Sequence, residues 1–266
     1  MREFHSLRAD ELHDVFFDTE LIEEEPRVQV EESKGKIEIS LSFPGFFRSD
    51  DPRKVRGREM AFSQINMAST GFLAENGRPL LPSFNRYVQI PANSDVSLRT
   101  RKGEPVEFDD VLVLPAQERL TDSPAQEDEF QFEREFYRRD SLYPRRMVEV
   151  QGPFLIDGYH AMLLTVVPFQ YNPKKKKLIG YGELDVTLTI EPADRTEPVA
   201  EFDPALDREA FGNFFLNPRR RVEERLEARP PRPHGRVLRE RGPEFLIVHA
   251  EPFTAAAEKL ALWKNR

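Results

Sequence analysis

The sequence contains no cysteine, and this absence excludes several kinds of chemistry. Without a thiol the chain cannot form a disulfide, bind a metal through thiolates or use a cysteine nucleophile. Glycine-rich phosphate loops and the GxSxG and HExxH motifs are also missing. We therefore predict no active site, no metal and no cofactor in these residues. None of the five histidines stands with a carboxylate at metal-ligand spacing, and we expect His160 and His249 to be structural: His5, His13, His160, His234, His249.

Long apolar runs are missing as well. A transmembrane helix needs about 18 or more apolar residues. The longest candidate, residues 161–167, ends at Pro168, so we predict no membrane span. A secretory signal peptide needs an apolar centre of about 7 to 15 residues, but charged side chains interrupt the first residues of this chain. No signal peptide is therefore visible.

The chain has no excess of positive charge. Its net charge is −8 and its pI is near 5.4, whereas proteins that bind nucleic acid use a surplus of lysine and arginine. We therefore predict no nucleic-acid partner. Acidic residues gather at 18–32 and 122–135, and arginines at 219–241. The second acidic stretch could attract calcium or a basic partner, but it lacks the spacing of an EF-hand loop, and we interpret it as a solvated loop.

Most of the chain has the alternating pattern of half-buried β-strands. From residue 36 onward, Ile37, Ile39 and Leu41 share one face while polar residues occupy the other. Many short strands separated by glycine, proline, asparagine and aspartate predict a mainly β fold, with antiparallel sheets packed as a sandwich or jelly roll. The predicted strands are 36–43, 61–66, 87–90, 95–99, 106–114, 146–150, 159–167 and 183–190.

The regions that flank these strands differ in character. Residues 1–35 are interpreted as a mobile acidic N-terminal arm that starts with a short helix, and residues 36–216 as the β domain, closed by an amphipathic helix or turn at 204–216. Residues 217–243 hold nine arginines and several prolines, which predicts an exposed linker. Residues 244–266 predict a strand at 245–248 and a helix near 257–263, a single βα unit that should continue into a larger domain.

Several short strings, in this order, resemble the gingipain-type cysteine peptidases of family C25. The resemblance covers the N-terminal propeptide and the first βα unit of the caspase-like catalytic domain. Taken alone, GRPLLP predicts an extended crossing between strands, and YNP followed by four lysines predicts a hairpin tip. The strings are GRPLLP at 77–82, VQIP at 88–91, YP at 143–144, VPFQYNP at 167–173, LIV at 246–248 and WKN at 263–265.

The resemblance implies a secreted propeptide with a β-sandwich fold. Such a domain assists folding of its peptidase and inhibits it, in cis or in trans, until a processing protease cuts it away in the arginine-rich linker. The family's catalytic histidine and cysteine lie beyond the first βα unit. These residues alone would therefore not be a working peptidase, and we expect them to be a piece of a longer precursor or of a broken gene.

Inhibition of a peptidase that cuts after basic residues would place an arginine or lysine in its specificity pocket. The long loop at 121–144 offers three candidates beside Phe136 and Tyr137, which we expect to be aromatic anchors for the partner. The alternative is a polar surface loop with solvated charges. The inhibitory candidates are Arg134, Arg138 and Arg139. The candidates for processing, if the linker is more than a charged spacer, are Arg221, Arg229 and Arg241.

A second hypothesis is a stand-alone β-sandwich that binds carbohydrate or another cell-surface ligand, since a fold does not decide a function. An aromatic platform on an exposed sheet face would favour this binding module. A protruding basic loop and an arginine-rich tail that leads into a catalytic domain favour the propeptide.

Overall fold

A computed structural model of the chain describes residues 2–8, 25–117, 130–156, 159–193, 214–217 and 253–264. The chain divides into two units, Met1–Glu223 and Glu224–Arg266. The first holds all the described strands and a 3₁₀ helix at Phe136–Arg138; the second holds helix α1, Thr254–Lys264. The strands are β1 Arg2–Ser6, β2 Arg27–Ser33, β3 Lys36–Ser42, β4 Gly45–Val55, β5 Arg58–Asn66, β6 Gly71–Leu73, β7 Leu81–Gln89, β8 Ser94–Lys102, β9 Pro105–Phe108, β10 Val148–Ile156, β11 Tyr159–Val166, β12 Phe169–Asn172, β13 Lys177–Tyr181 and β14 Glu183–Pro192.

The named strands pair antiparallel in four sheets, which confirms the predicted mainly β, antiparallel fold. Two sheets have four strands, in the orders β2-β3-β14-β8 and β10-β11-β7-β6. Two have three strands, in the orders β1-β4-β5 and β12-β13-β9. Antiparallel neighbours need only tight connections, and the turn between β2 and β3 is an example, with Gly35 at a φ of +74°.

The two four-stranded sheets contribute to one hydrophobic core. On β3 and β14 the alternation seen in the sequence is the alternation of burial, because successive side chains of a strand point to opposite faces. Phe43 meets Phe84 of the other sheet edge to face, with ring centroids 6.4 Å apart. The shared core includes, from the first sheet, Ile37, Ile39, Leu41, Leu184, Val186 and Leu188 and, from the second, Leu81, Phe84, Val88, Leu164 and Val166.

Residues 2–8 are folded into the domain, which corrects the prediction of a mobile arm there. Strand β1 pairs along β4, from Arg2 opposite Ser49 to Ser6 opposite Gly45. Leu7 follows it and is only 2 % exposed. Strand β2 lies in the other part of the predicted arm and pairs with β3. The helix predicted near Leu12 lies outside the described residues.

Three glycines make room for this N-terminal strand. A β-carbon on Gly45 would overlap the main chain of His5 and the ring of Phe4. One on Gly180 would overlap the side chain of Leu7, and one on Gly182 would overlap the Leu7 carbonyl group. The backbone can approach so closely only where a side chain is missing. We call the recess at Gly180 and Gly182 the Leu7 pocket.

Other boundaries differ in detail from the prediction. The strand predicted at 106–114 ends at Phe108, and the chain then pairs irregularly: Ser63 donates to Leu112 O at 2.6 Å and Leu114 N donates to Ser63 O at 2.9 Å. Pro82, expected in a crossing between strands, lies opposite Phe72 in the β6–β7 pair. The lysine-rich hairpin tip is confirmed, since the β12–β13 pair closes at Asn172 opposite Lys177.

The C-terminal boundary also differs from the prediction. Residues 214–217 form a turn and a parallel bridge between Phe215 and Tyr87 rather than the end of a helix. The rest of the helix predicted at 204–216 and the strand predicted at 245–248 lie outside the described residues. Helix α1 is present where a helix was predicted, with Leu260 and Leu262 exposed. No helix in the described part of the chain has the length and apolarity to cross a membrane.

Candidate functional site

The candidate site is the long connection between β9 and β10, of which residues 109–117 and 130–147 are described. Two glutamines tie its two described arms together. Gln131 N donates to Gln117 Oε1 at 2.8 Å, and Gln117 Nε2 donates to Gln131 O at 3.0 Å. This reciprocal pair, which we call the glutamine neck, brings the chain back to the domain surface where it left.

Aromatic side chains hold the returning arm against the domain. Phe130 and Phe132 lie 5.4 Å and 5.7 Å from the ring of Phe62, which is fully buried. Phe132 also contacts Tyr137 at 4.6 Å. Aromatic pairs at such distances stabilise by about 0.5 to 1.5 kcal/mol beyond the area they bury. The arm is therefore anchored before it reaches the 3₁₀ helix.

Phe136 and Tyr137 are buried in the domain's own core, at 5 % and 8 % exposed. The expectation that they face a partner is therefore wrong. The reason is local: a 3₁₀ turn directs two adjacent side chains inward, which strand alternation would not do. Tyr137 donates its hydroxyl to Val113 O at 2.8 Å, and burial raises its pKa well above the usual range. Both rings pack beneath the turn and hold it against the domain.

The side chains of the three candidate arginines, which flank these two buried rings, are all exposed. Arg138 pairs with Glu135 at 2.9 Å, and Arg139 lies 3.9 Å from Glu133. Arg134 has no ion-pair partner in the described part of the chain. Exposed pairs of this kind contribute only about 0 to 1 kcal/mol. Each of the three guanidinium groups can therefore leave its present contacts for a binding partner at low cost in free energy.

A half-buried ion network fixes the base of the turn. Arg78 donates through Nε to Glu133 at 2.9 Å and pairs closely with Glu75, and these contacts raise its pKa, with the Glu133 hydrogen bond as the largest cause. The centroid of the Phe136 ring lies 5.0 Å from the guanidinium carbon of Arg139 and 5.2 Å from that of Arg78, within the range of cation–π attraction. Sequence reasoning missed Arg78; the only signal was its place in the GRPLLP string.

The far end of the connection is fixed equally firmly. Tyr143 and Tyr171 exchange main-chain hydrogen bonds of 2.9 Å and 2.7 Å. Asn172 donates to Asp140 at 2.9 Å, and this bond is the largest cause that lowers the Asp140 pKa. Tyr171 is fully buried and donates to Val111 O at 2.9 Å. Residues 130–144 therefore present exposed arginines on a rigid base.

The remaining predicted residues are placed as follows. His160 is buried in β11, at 5 % exposed. Four other predicted residues lie outside the described residues: His249 and the processing candidates Arg221, Arg229 and Arg241. Arg119 also lies outside them. It is the only basic residue at 118–129, and the sequence analysis did not single it out. In the described part of the chain, no three His, Asp or Glu side chains are placed to hold a metal ion.

The fold and this connection can be compared with known proteins. The family model Propeptide_C25 matches residues 20–217, which is most of the chain. The chain belongs to the C25 propeptide family.

Curated relatives support the same family at low identity. Gingipain R2 of Porphyromonas gingivalis is 22 % identical to this C25 propeptide over 117 residues, which cover 44 % of the chain and 16 % of the relative. Gingipain R1 of the same organism is 21 % identical over 117 residues, which cover 44 % of the chain and 12 % of the relative. The matched segment therefore spans only a small part of the length of these relatives.

Two solved structures share the fold. The complex of Porphyromonas gingivalis RgpB pro- and mature domains matches with a TM-score of 0.59 at 15 % identity, covering 72 % of this chain and 96 % of the matched chain. A structure on the zymogenic latency of gingipain K from the same organism matches with a TM-score of 0.57 at 15 % identity, covering 73 % and 100 %. The described C25 propeptide thus has the fold of these prodomains.

Proposed function

We propose that the β domain is the intramolecular inhibitor and folding assistant of a gingipain-like cysteine endopeptidase, secreted with it and removed by cleavage in the linker at 217–243. The observation that carries this proposal is the row of exposed arginines on a rigid base. A side chain that plugs a specificity pocket binds best when its backbone is already ordered, because less conformational entropy is lost on binding.

The three candidates are not equivalent. Entering a pocket would cost Arg138 its contact with Glu135 and Arg139 its contact with Glu133, whereas Arg134 gives up no ion pair. The costs are small for exposed pairs. They rank Arg134 first as the plug; Arg139 has a longer ion-pair contact than Arg138, but it would also leave the Phe136 ring, 5.0 Å away.

The linker strengthens inhibition without any new contact. As a tether it keeps the domain at an effective concentration on the order of mM near the peptidase. One cut removes this advantage. Among the three processing candidates, Arg229 is the poorest, because Pro230 follows it and has no main-chain N–H for a protease to bind.

The test measures inhibition of the peptidase domain of its own precursor, taken from the genomic reading frame that contains this chain. We expect Arg134→Ala, Arg138→Ala or Arg139→Ala to weaken inhibition more than tenfold. Arg99→Ala, on the exposed face of β8, is the matched control. If none of the three matters and only Arg119→Ala does, our candidates are wrong. If the full chain does not inhibit at all, the inhibitory function itself is wrong.

One observation favours the alternative of a binding module. Tyr87 stacks on Phe214 at 4.9 Å and meets Phe154 edge to face at 6.2 Å, and the two phenylalanines are each 39 % exposed beside the exposed Leu155. Aromatic platforms of this kind can bind sugars. Titration with polysaccharides by calorimetry decides this point, since a propeptide without a sugar site gives no heat and Phe154→Ala then changes nothing.

A further inference from the structure

Residues 214–217 lie along part of β7 that no other described strand covers. Strand β6 pairs only with Leu81–Ser83 on this side, so the edge at Tyr87 and Gln89 is open to another partner. Phe215 forms a parallel bridge with Tyr87, and Leu216 N donates to Tyr87 O at 2.9 Å. This is strand addition to a sheet edge within one chain. We call residues 214–217 the clasp.

The side chain of Asn217 completes the pairing. Its Oδ1 accepts from Gln89 N at 2.8 Å, and its Nδ2 donates to Gln89 O at 3.1 Å and to Glu32 at close range. The amide thus engages both main-chain groups of Gln89, as a further strand residue would. Asn217 is 8 % exposed, and a buried main-chain group left unpaired costs more than an ordinary hydrogen bond contributes. The clasp therefore ends in a contact that is costly to break.

Aromatic packing holds the clasp on both sides of its backbone. Phe215 is 4 % exposed and lies 5.4 Å from the ring of Tyr159. Phe214 stacks on Tyr87 with an angle of 17° between the rings. Phe214, Phe215 and Asn217 thus each make a defined side-chain contact with the domain.

We infer that the clasp shields the arginines that follow it, Arg219 to Arg221, from proteolysis and so directs the first cut in the linker to the distal arginines that no proline follows, Arg225 and those at 236–241. A protease binds its substrate as an extended strand on both sides of the cut bond. Arg219 is two residues beyond Asn217, within about 7 Å along the chain, so the clasp must open before a protease can bind there. When cleavage requires a local opening, its rate is proportional to the population of the open form, so a clasp that stays closed slows it.

The physiological meaning of this shield rests on the proposed function, because it would set where the propeptide is processed. The test of the shield does not depend on the proposed function, because any trypsin-like protease can cut after the arginines of the linker. The full chain is digested with a trace of trypsin, and fragments ending at 219–221 (proximal cuts) and at 225 or 236–241 (distal cuts) are quantified over time by mass spectrometry. We expect the distal cuts to come first, by at least tenfold in rate.

Asn217→Ala should then raise the proximal rate at least tenfold and leave the distal rate unchanged. Asn76→Ala, an exposed asparagine away from the clasp, is the matched control and should change neither. If Asn217→Ala loses its circular dichroism spectrum, Phe214→Ala decides the question, because it truncates only a partly exposed ring; we expect a rise of about threefold in the proximal rate.

Two results would overturn the inference. One is an equal early rate at proximal and distal arginines in the unaltered chain. The other is an unchanged proximal rate in a folded clasp variant. Loss of peptidase inhibition by the chain would count against the proposed function and would leave the trypsin result as it stands.

Discussion

The Leu7 pocket gives the sharpest test of the fold. Leu7 is almost fully buried, and its side chain fills the space where Gly180 has no β-carbon. Leu7→Ala removes the buried isobutyl group and leaves a cavity, which we expect to cost about 3 kcal/mol in the free energy of unfolding. Leu142→Ala is the control; this side chain is 41 % exposed and its truncation should cost less than about 0.5 kcal/mol.

The pocket also predicts that two mutations are not additive. Gly180→Ala alone places a methyl group against Leu7 and should cost about 1 to 3 kcal/mol through overpacking. In the double variant that methyl group enters the cavity left by Leu7. The combined loss should then fall short of the sum by at least about 1 kcal/mol. Urea unfolding followed by far-ultraviolet circular dichroism measures all four proteins. Strictly additive losses, or a Leu7→Ala variant as stable as the unaltered chain, would refute the docked N-terminal strand.

Two further predictions concern pH. Burial raises the pKa of Tyr137 and Tyr171, so the unfolded chain releases protons near pH 10 that the folded domain keeps. The free energy of unfolding should therefore fall as pH rises above about 10. The urea midpoint of Tyr171→Phe should fall less steeply between pH 9 and 11 than that of the unaltered chain. Burial, and secondarily the charge of Arg48, lower the pKa of His5, so on acidification the unfolded chain binds a proton at His5 before the folded domain does. The free energy of unfolding should therefore fall as pH drops below about 6.5. His5→Gln should remove this part of the acid sensitivity. Midpoints of the variants that run parallel to those of the unaltered chain would contradict both.

Alternation was the reliable signal in the sequence. It located β3 and β14 because both strands bury one face and expose the other, and their residues pair along the whole length from Lys36 opposite Thr189 to Ser42 opposite Glu183. Strand β1 gave no such signal. It pairs with β4, and its close approach requires that Gly45, Gly180 and Gly182 have no side chains; local sequence does not show which distant glycines will face a strand.

The candidate site was predictable only in part. The arginines at 134, 138 and 139 could be expected at the surface because a guanidinium group is costly to bury. The inward direction of Phe136 and Tyr137 could not, since it depends on a single 3₁₀ turn. Asn217 was assigned to the linker because it opens a stretch that is rich in arginine and proline and too poor in aliphatic side chains to form a core. Its partner, Gln89, is 128 residues away, and nothing local links the two.

The Leu7 pocket also has a consequence for the order of events during synthesis. A ribosome makes Leu7 long before Gly180 and Gly182, so the recess that receives it does not yet exist while most of the domain is being translated. Contacts between residues so far apart in sequence form late, because the chain must first lose the entropy of a long loop. Leu7 therefore stays unseated until β13 and β14 have been made, whereas β1 has its partner strand β4 within the first 55 residues.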